Sequence, residues 1–280
     1  MFYACQPSQP VLTEEYLKAD AEYRAELTNG RNYYLKLVGL HPLVFGTNFF
    51  GVSDVNNIQL TGEGVPSTIG AIEFSDEGIW FTASDSISVR LAKNDSAVSR
   101  WVYAFDTTFN SPLLKYNNLE WQVIKRAEEY FLRVKDQNSE LAKNFKGFEV
   151  YPLQSAYVVV ADYQPFEEAQ IETVNTQLGT EQQLEFVGAL SFEWENDQYE
   201  LTVGAEGFLA VGDQTNDDTT YGGGRYMYVP IPAEAGPVIV DFNRLYNPPC
   251  VYSKYTTCPL PPAQNLLPIK LEAGEKQLRL

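Results

Sequence analysis

Leu119-Glu120-Trp121-Gln122-Val123-Ile124-Lys125, then Arg126-Ala127-Glu128-Glu129, then Tyr130-Phe131-Leu132-Arg133-Val134-Lys135 is the stretch that decides the fold class. Two runs rich in aromatic and β-branched residues, of similar length and joined by a short polar link, predict a β-hairpin. Working outward, the same grammar repeats in both directions. Upstream lie short apolar runs at residues 33–40, 57–60, 68–74, 79–83, 87–91 and 101–105, and Ser75-Asp76-Glu77-Gly78 reads as a hairpin turn between two of them. Downstream, after a short helix-like stretch at 138–145, come runs at 157–163, 170–178, 183–195, 199–205, 207–211, 225–229 and 238–242. The class is therefore mainly β: an N-terminal helix, a small β-sandwich, and a second antiparallel β unit with a Pro-rich C-terminal segment.

The helix is announced by Thr13 as cap, Glu14 and Glu15 at the positive end, and Tyr16, Leu17, Ala19, Tyr23 and Leu27 at apolar positions; Asn29-Gly30 is expected to end it. This divides the chain into a tail and helix over 1–30, a sandwich over 31–136 and a C-terminal β domain over 137–280. After Asn243 the Pro248-Pro249, Pro259-Leu260-Pro261-Pro262 and Pro268 positions forbid an ordinary ladder, and 267–271 is expected to return as a last strand.

Of the 280 residues 44% are hydrophobic and 14% aromatic, far from the composition of a disordered chain. The formal charge is −17 with a pI near 4.4. Such an acidic surface repels phosphate backbones, so nucleic acid is not an expected partner. No apolar run nears the roughly 18 residues of a membrane-spanning helix. Cys5 follows a small residue and precedes a polar Gln-Pro-rich stretch, as the acylated cysteine of a bacterial lipoprotein does, although the basic and apolar leader is absent. A lipid anchor at Cys5 in the cell envelope and an ordinary cysteine in the cytoplasm are the two readings.

Cys250 and Cys258 could close a short loop, a disulfide contributing about 2.5 kcal/mol by loop entropy. The alternative is two reduced thiols packed as small hydrophobes. His41 is the sole histidine, so zinc sites built on several histidines are excluded and a Ser-His-Asp triad would depend on it alone. It reads as a turn or surface residue. Phosphate loops of the glycine-rich types are missing, and no cofactor is implied. Asp213, Thr215 and the acids at 217 and 218 alternate as in a calcium loop. The central Gly and distal Glu of such loops are lacking, which favours a solvated acidic turn and no metal.

Two polar clusters remain as candidate sites. Tyr221-Gly222-Gly223-Gly224-Arg225 lets the backbone approach a ligand, with Tyr221 and Arg225 bracketing a planar or anionic group. Asp241, Asn243, Tyr246 and Asn247 end a strand with convergent hydrogen-bonding groups, and Asn265 and Glu275 follow in the tail. The opposing reading is that Asp241, Asn243 and Asn247 satisfy backbone groups of an irregular segment.

The string from Asp241 through Cys250 and Cys258 to Glu275-Lys276, together with residues 220–225, resembles the signature of a bacterial family, domain of unknown function 1684. Val123-Ile124-Lys125-Arg126, Arg133-Val134-Lys135-Asp136 and Phe145-Lys146-Gly147-Phe148 resemble it as well. The resemblance implies relatives without an assigned activity. The first β unit also resembles a forkhead-associated sandwich in outline, but the Gly-Arg and Ser-x-x-His elements of a phosphothreonine site are missing, which argues against phosphopeptide binding.

The function expected from these residues is a non-catalytic binding module. Tyr221, Arg225, Asp241, Asn243, Tyr246 and Asn247 would line a site for a small polar ligand, a sugar or cell-envelope fragment. The alternatives are a hydrolase using two carboxylates from Asp213, Asp241, Glu272 and Glu275, about 5 to 10 Å apart, or a purely structural envelope protein.

Overall fold

The quoted hairpin forms as expected, with Leu119 opposite Asp136 and Arg126 opposite Glu129. It sits within a computed structural model that describes residues 12–62, 64–104, 110–126 and 129–277. Cys5 lies outside the described residues. The chain divides into two units, one of residues 31–145 and one of residues 146–277 together with 12–30.

The 31–145 unit contains, among its described residues, strands β1 (Leu37–Pro42), β2 (Gly46–Gly51), β3 (Ile58–Gln59), β4 (Gly70–Ser75), β5 (Gly78–Ala83), β6 (Val89–Leu91), β7 (Ala97–Val98), β8 (Arg100–Val102), β9 (Leu114–Tyr116), β10 (Leu119–Arg126) and β11 (Glu129–Asp136). They form a six-stranded sheet in the order β1-β11-β10-β9-β6-β7 and a five-stranded sheet in the order β3-β2-β4-β5-β8. Pairing is antiparallel except between β2 and β3. One core joins the sheets: Phe50 of β2 and Phe81 of β5 both meet Trp121 of β10, with ring centroids 5.4 and 5.7 Å away. Edge-to-face geometry of this kind adds to plain burial.

Four local readings are corrected. The helix α1 (Glu14–Leu35) runs past Asn29-Gly30. Gly30 does not take the left-handed conformation of a helix stop, and buried Arg31 and Leu35 draw the last turn onward. The strand expected from Tyr33 therefore starts at Leu37. Strand β2 was not anticipated, because its polar centre hides the pattern. Asn48 there is fully buried and satisfied by Val44, Gly46 and Ile72 carbonyls at 2.7–3.2 Å. His41 is a half-buried residue of β1 opposite Leu132, not a turn residue.

The short helix α2 (Glu140–Asn144) belongs to the first unit, and the other unit is built mainly of strands. Its strands are β12 (Val158–Asn175), β13 (Glu181–Trp194), β14 (Asp197–Gly204), β15 (Phe208–Val211), β16 (Arg225–Tyr228) and β17 (Gly236–Asp241). The sheet order is β14-β13-β12-β17, with β15 and β16 a separate hairpin. The runs at 157–163 and 170–178 prove to be one strand, β12, with an irregularity between Pro165 and Gln170 where the ladder to β13 shifts. The expected strand at 267–271 does not form. Pro268 has no donor, so this segment lies beside residues 212–214 through single bonds, Leu267 N–H to Gly212 O and Gln214 N–H to Ile269 O, both 2.8 Å.

Candidate functional site

Strand alternation puts Leu209, Val211, Met227 and Arg225 on one face of the β15–β16 hairpin and Phe208, Ala210, Tyr226 and Tyr228 on the other. The first face enters the apolar core. Arg225 thus brings a guanidinium to the end of a core face, where its charge must be compensated. Asp213, two residues beyond Val211, supplies the compensation: Arg225 Nη2 lies 2.8 Å from Asp213 Oδ2, and neither side chain is exposed. Nη2 also donates to Leu271 O at 2.9 Å, and Nη1 to Glu275 O at 3.2 Å and to Ala273 O. Burial pushes the guanidinium pKa down and Asp213 pushes it back up; arginine stays charged.

Asp213 is equally committed. Its Oδ1 accepts the Thr215 N–H at 2.9 Å, the Thr215 hydroxyl at 2.6 Å and the Leu271 N–H at 3.1 Å. With Arg225 on Oδ2, the carboxylate accepts four hydrogen bonds, three on Oδ1 and one on Oδ2. The solvated acidic turn read from the sequence is exposed at Gln214, Asp217 and Asp218, whereas Asp213, Thr215 and Thr220 are buried. Among the described residues no cluster of acids, cysteines and histidine is arranged to hold a metal ion.

Asp241 and Asn243 form a second, separate cluster. Asp241 Oδ1 accepts both the backbone and side-chain N–H of Asn243, at 3.1 and 2.9 Å, and Oδ2 accepts the Tyr16 hydroxyl of α1 at 2.8 Å. Asn243 in turn exchanges two bonds with the Gln154 backbone, at 3.0 and 3.1 Å. Burial foremost, then Asp241, pushes the Tyr16 pKa up, which keeps its hydroxyl a donor. Asn247 ties the tail by its own N–H to Glu275 Oε2, 2.7 Å, and its amide to Lys276 O, 2.8 Å. Asn265 bridges β14 and β15 through Thr202 N–H and O and Ala210 O at 2.8–3.0 Å. Of the acids named for hydrolysis, Asp213, Asp241 and Glu275 are thus engaged internally, and Glu272 is exposed.

The glycine loop also closes on its own chain. A Cβ at Gly222 would lie 1.8 Å from Asp217 Oδ1, and one at Gly224, whose φ is +80°, would lie 2.5 Å from Pro261 Cγ. At Gly224, with its left-handed φ and Val211 O 2.8 Å away, only glycine fits; at Gly222 the exposed Asp217 carboxyl would have to turn aside. On the second face of the hairpin Ala210 and Tyr226 are buried, Phe208 is half-buried and Tyr228 stays accessible. Phe208 packs edge-on to Tyr226 at 5.0 Å and beside Tyr228 at 5.5 Å, and Tyr226 meets Tyr246 at 6.0 Å. Tyr228 is 54% exposed. Tyr221 is half-buried, its hydroxyl 3.5 Å from Cys250 Sγ. Sequence reasoning missed Phe208 and Tyr228, although aromatics at alternate positions 226 and 228 carried the signal. Cys250 and Cys258 are free thiols.

Residues 143–276 match the model of a family described as protein of unknown function (DUF1684). No curated protein matches the chain. Among solved structures, the solution structure of an uncharacterized protein of Haloarcula marismortui is 27% identical over 49% of this chain and 80% of that one, with a TM-score of 0.42.

Proposed function

Starting from a chain that carries a DUF1684 domain over residues 143–276, we propose that this domain is a non-catalytic binding module for a small polar ligand such as a sugar or cell-envelope fragment. The observation that carries the reading is the tyrosine-rich face of β15–β16, where Tyr228 is 54% exposed beside Phe208 and Tyr246. Aromatic faces with hydroxyl edges offer both stacking area and hydrogen bonds. The face rests on a rigid base, since Asp213, Arg225 and Asn265 hold the strands and tail behind it. The internal commitment of Asp213, Asp241 and Glu275 counts against carboxylate hydrolysis.

Thermal denaturation against a panel of sugars and envelope fragments tests this. A ligand-dependent rise in Tm, lost in Tyr228→Ala with the unliganded Tm kept, supports it; no shift by any compound removes it. A purely structural role is the second reading, favoured by the internal hydrogen bonds of Asp241, Asn243, Asn247 and Asn265. An envelope setting would rest on acylation at Cys5, tested by fatty-acid labelling that Cys5→Ser abolishes.

A further inference from the structure

Cys250 lies in the tight turn Pro249–Val251, and the chain returns to it at Cys258 through a loop tied by its own bonds: Ser253 N–H to Pro249 O and Thr256 hydroxyl to Ser253 O, both 2.9 Å. The return is close. Cys250 N–H donates to Cys258 Sγ at 3.2 Å. Cys258 is 4% exposed, whereas Cys250 is only half-buried. The pair packs against Tyr226 and Tyr246.

We propose that Cys250 and Cys258 form a reversible disulfide site oxidised by low-molecular-weight disulfides, with Cys250 the entry thiol and Cys258 the resolving one. This does not depend on the binding proposed above. Cys250, the more exposed of the two residues, gives its proton to solvent and attacks the small disulfide. The S–S bond of that disulfide breaks, one small thiolate leaves, and a mixed disulfide remains on Cys250. Cys258 then gives up its proton to solvent, its sulfur attacks Cys250 sulfur and expels the second small thiolate, and the two small thiolates take up the two protons released. One small disulfide is thereby reduced to two thiols while two protein thiols are oxidised to one bond. The Cys250 backbone N–H, 3.2 Å from Cys258 Sγ, lowers that sulfur's pKa and remains in place once Cys250 carries the mixed disulfide, which suits Cys258 as the resolving nucleophile.

The closed loop would fasten a segment with long reach. Cys258 O accepts Gln177 N–H at 2.9 Å, Leu260 N–H donates to Asn175 O at 2.8 Å, and the Tyr226 hydroxyl donates to Pro259 O at 2.6 Å. Oxidation therefore staples the far end of the β12–β13 hairpin and Tyr226 to one short loop.

The test uses the full chain with Cys5→Ser, treated in its folded state with oxidised glutathione and digested by trypsin without reduction. Lys254 lies between the cysteines, so cleavage after Arg244, Lys254 and Lys270 yields peptides 245–254 and 255–270, which stay joined only through the disulfide. The expected result is joined peptides, separated by dithiothreitol, and a higher Tm for the oxidised chain. Cys258→Ser should hold glutathione on Cys250, and Cys250→Ser should take up none. Peptides that remain separate with both thiols free, or a wild-type reaction that stops at glutathione on Cys250, overturns the proposal. Should either serine variant fail to fold, the result on the pair itself still decides.

Discussion

Arg225 Nη2 lies 2.8 Å from Asp213 Oδ2 with both side chains at zero exposure, and the same two residues bind the backbone of Leu271 from either side. A buried ion pair thereby clamps the C-terminal segment onto the start of β16. Arg225→Met should cost about 3–5 kcal/mol, because it leaves the Asp213 charge buried without its cation. The double variant Asp213→Leu/Arg225→Met should cost less than the two single changes summed. Urea denaturation checks this, and strict additivity would mean that the pair does not act as a unit.

Asn265 bridges β14 and β15 with three bonds to Thr202 and Ala210 backbone. Asn265→Ala should destabilise by about 1–3 kcal/mol through the buried groups left unpaired. A chemical-denaturation midpoint unchanged by the substitution would show that those strands hold without it.

Tyr16 reaches across 225 positions of sequence to donate to Asp241. Tyr16→Phe removes one hydrogen bond to a carboxylate and should cost about 1.5–3 kcal/mol. Limited proteolysis should cut α1 faster in this variant; equal cleavage rates would sink the idea that Tyr16 pins the helix.

His41 is the sole histidine, and burial lowers its pKa below the ordinary value of 6.5. A base with a depressed folded pKa binds its proton more readily when unfolded, so stability falls as pH drops below about 6.5 and levels off below the folded value. Relative to His41→Gln, the wild-type chain should lose stability between pH 7 and pH 5. Parallel pH profiles of the two would refute this linkage.

The β class, the 119–136 hairpin, the turn at Ser75–Gly78 and the start of α1 were legible in the sequence, because alternation, turn residues and capping are local and need no partner to declare themselves. The polar residues of the C-terminal part were legible as a cluster of candidates, yet their roles were not. Asp213 reads the same whether its oxygens face solvent or Arg225, and only packing brings Leu271 N–H and Thr215 to the same carboxylate. The run past Gly30 in α1 and the lost strand at 267–271 have the same origin: buried Arg31 and Leu35 extend one element, and Pro268 leaves the other without a ladder donor. What sequence determines is the local preference of each stretch; which polar groups are consumed inside and which tyrosines stay exposed is decided by long-range contacts, since burial is a property of the whole unit and not of any one residue.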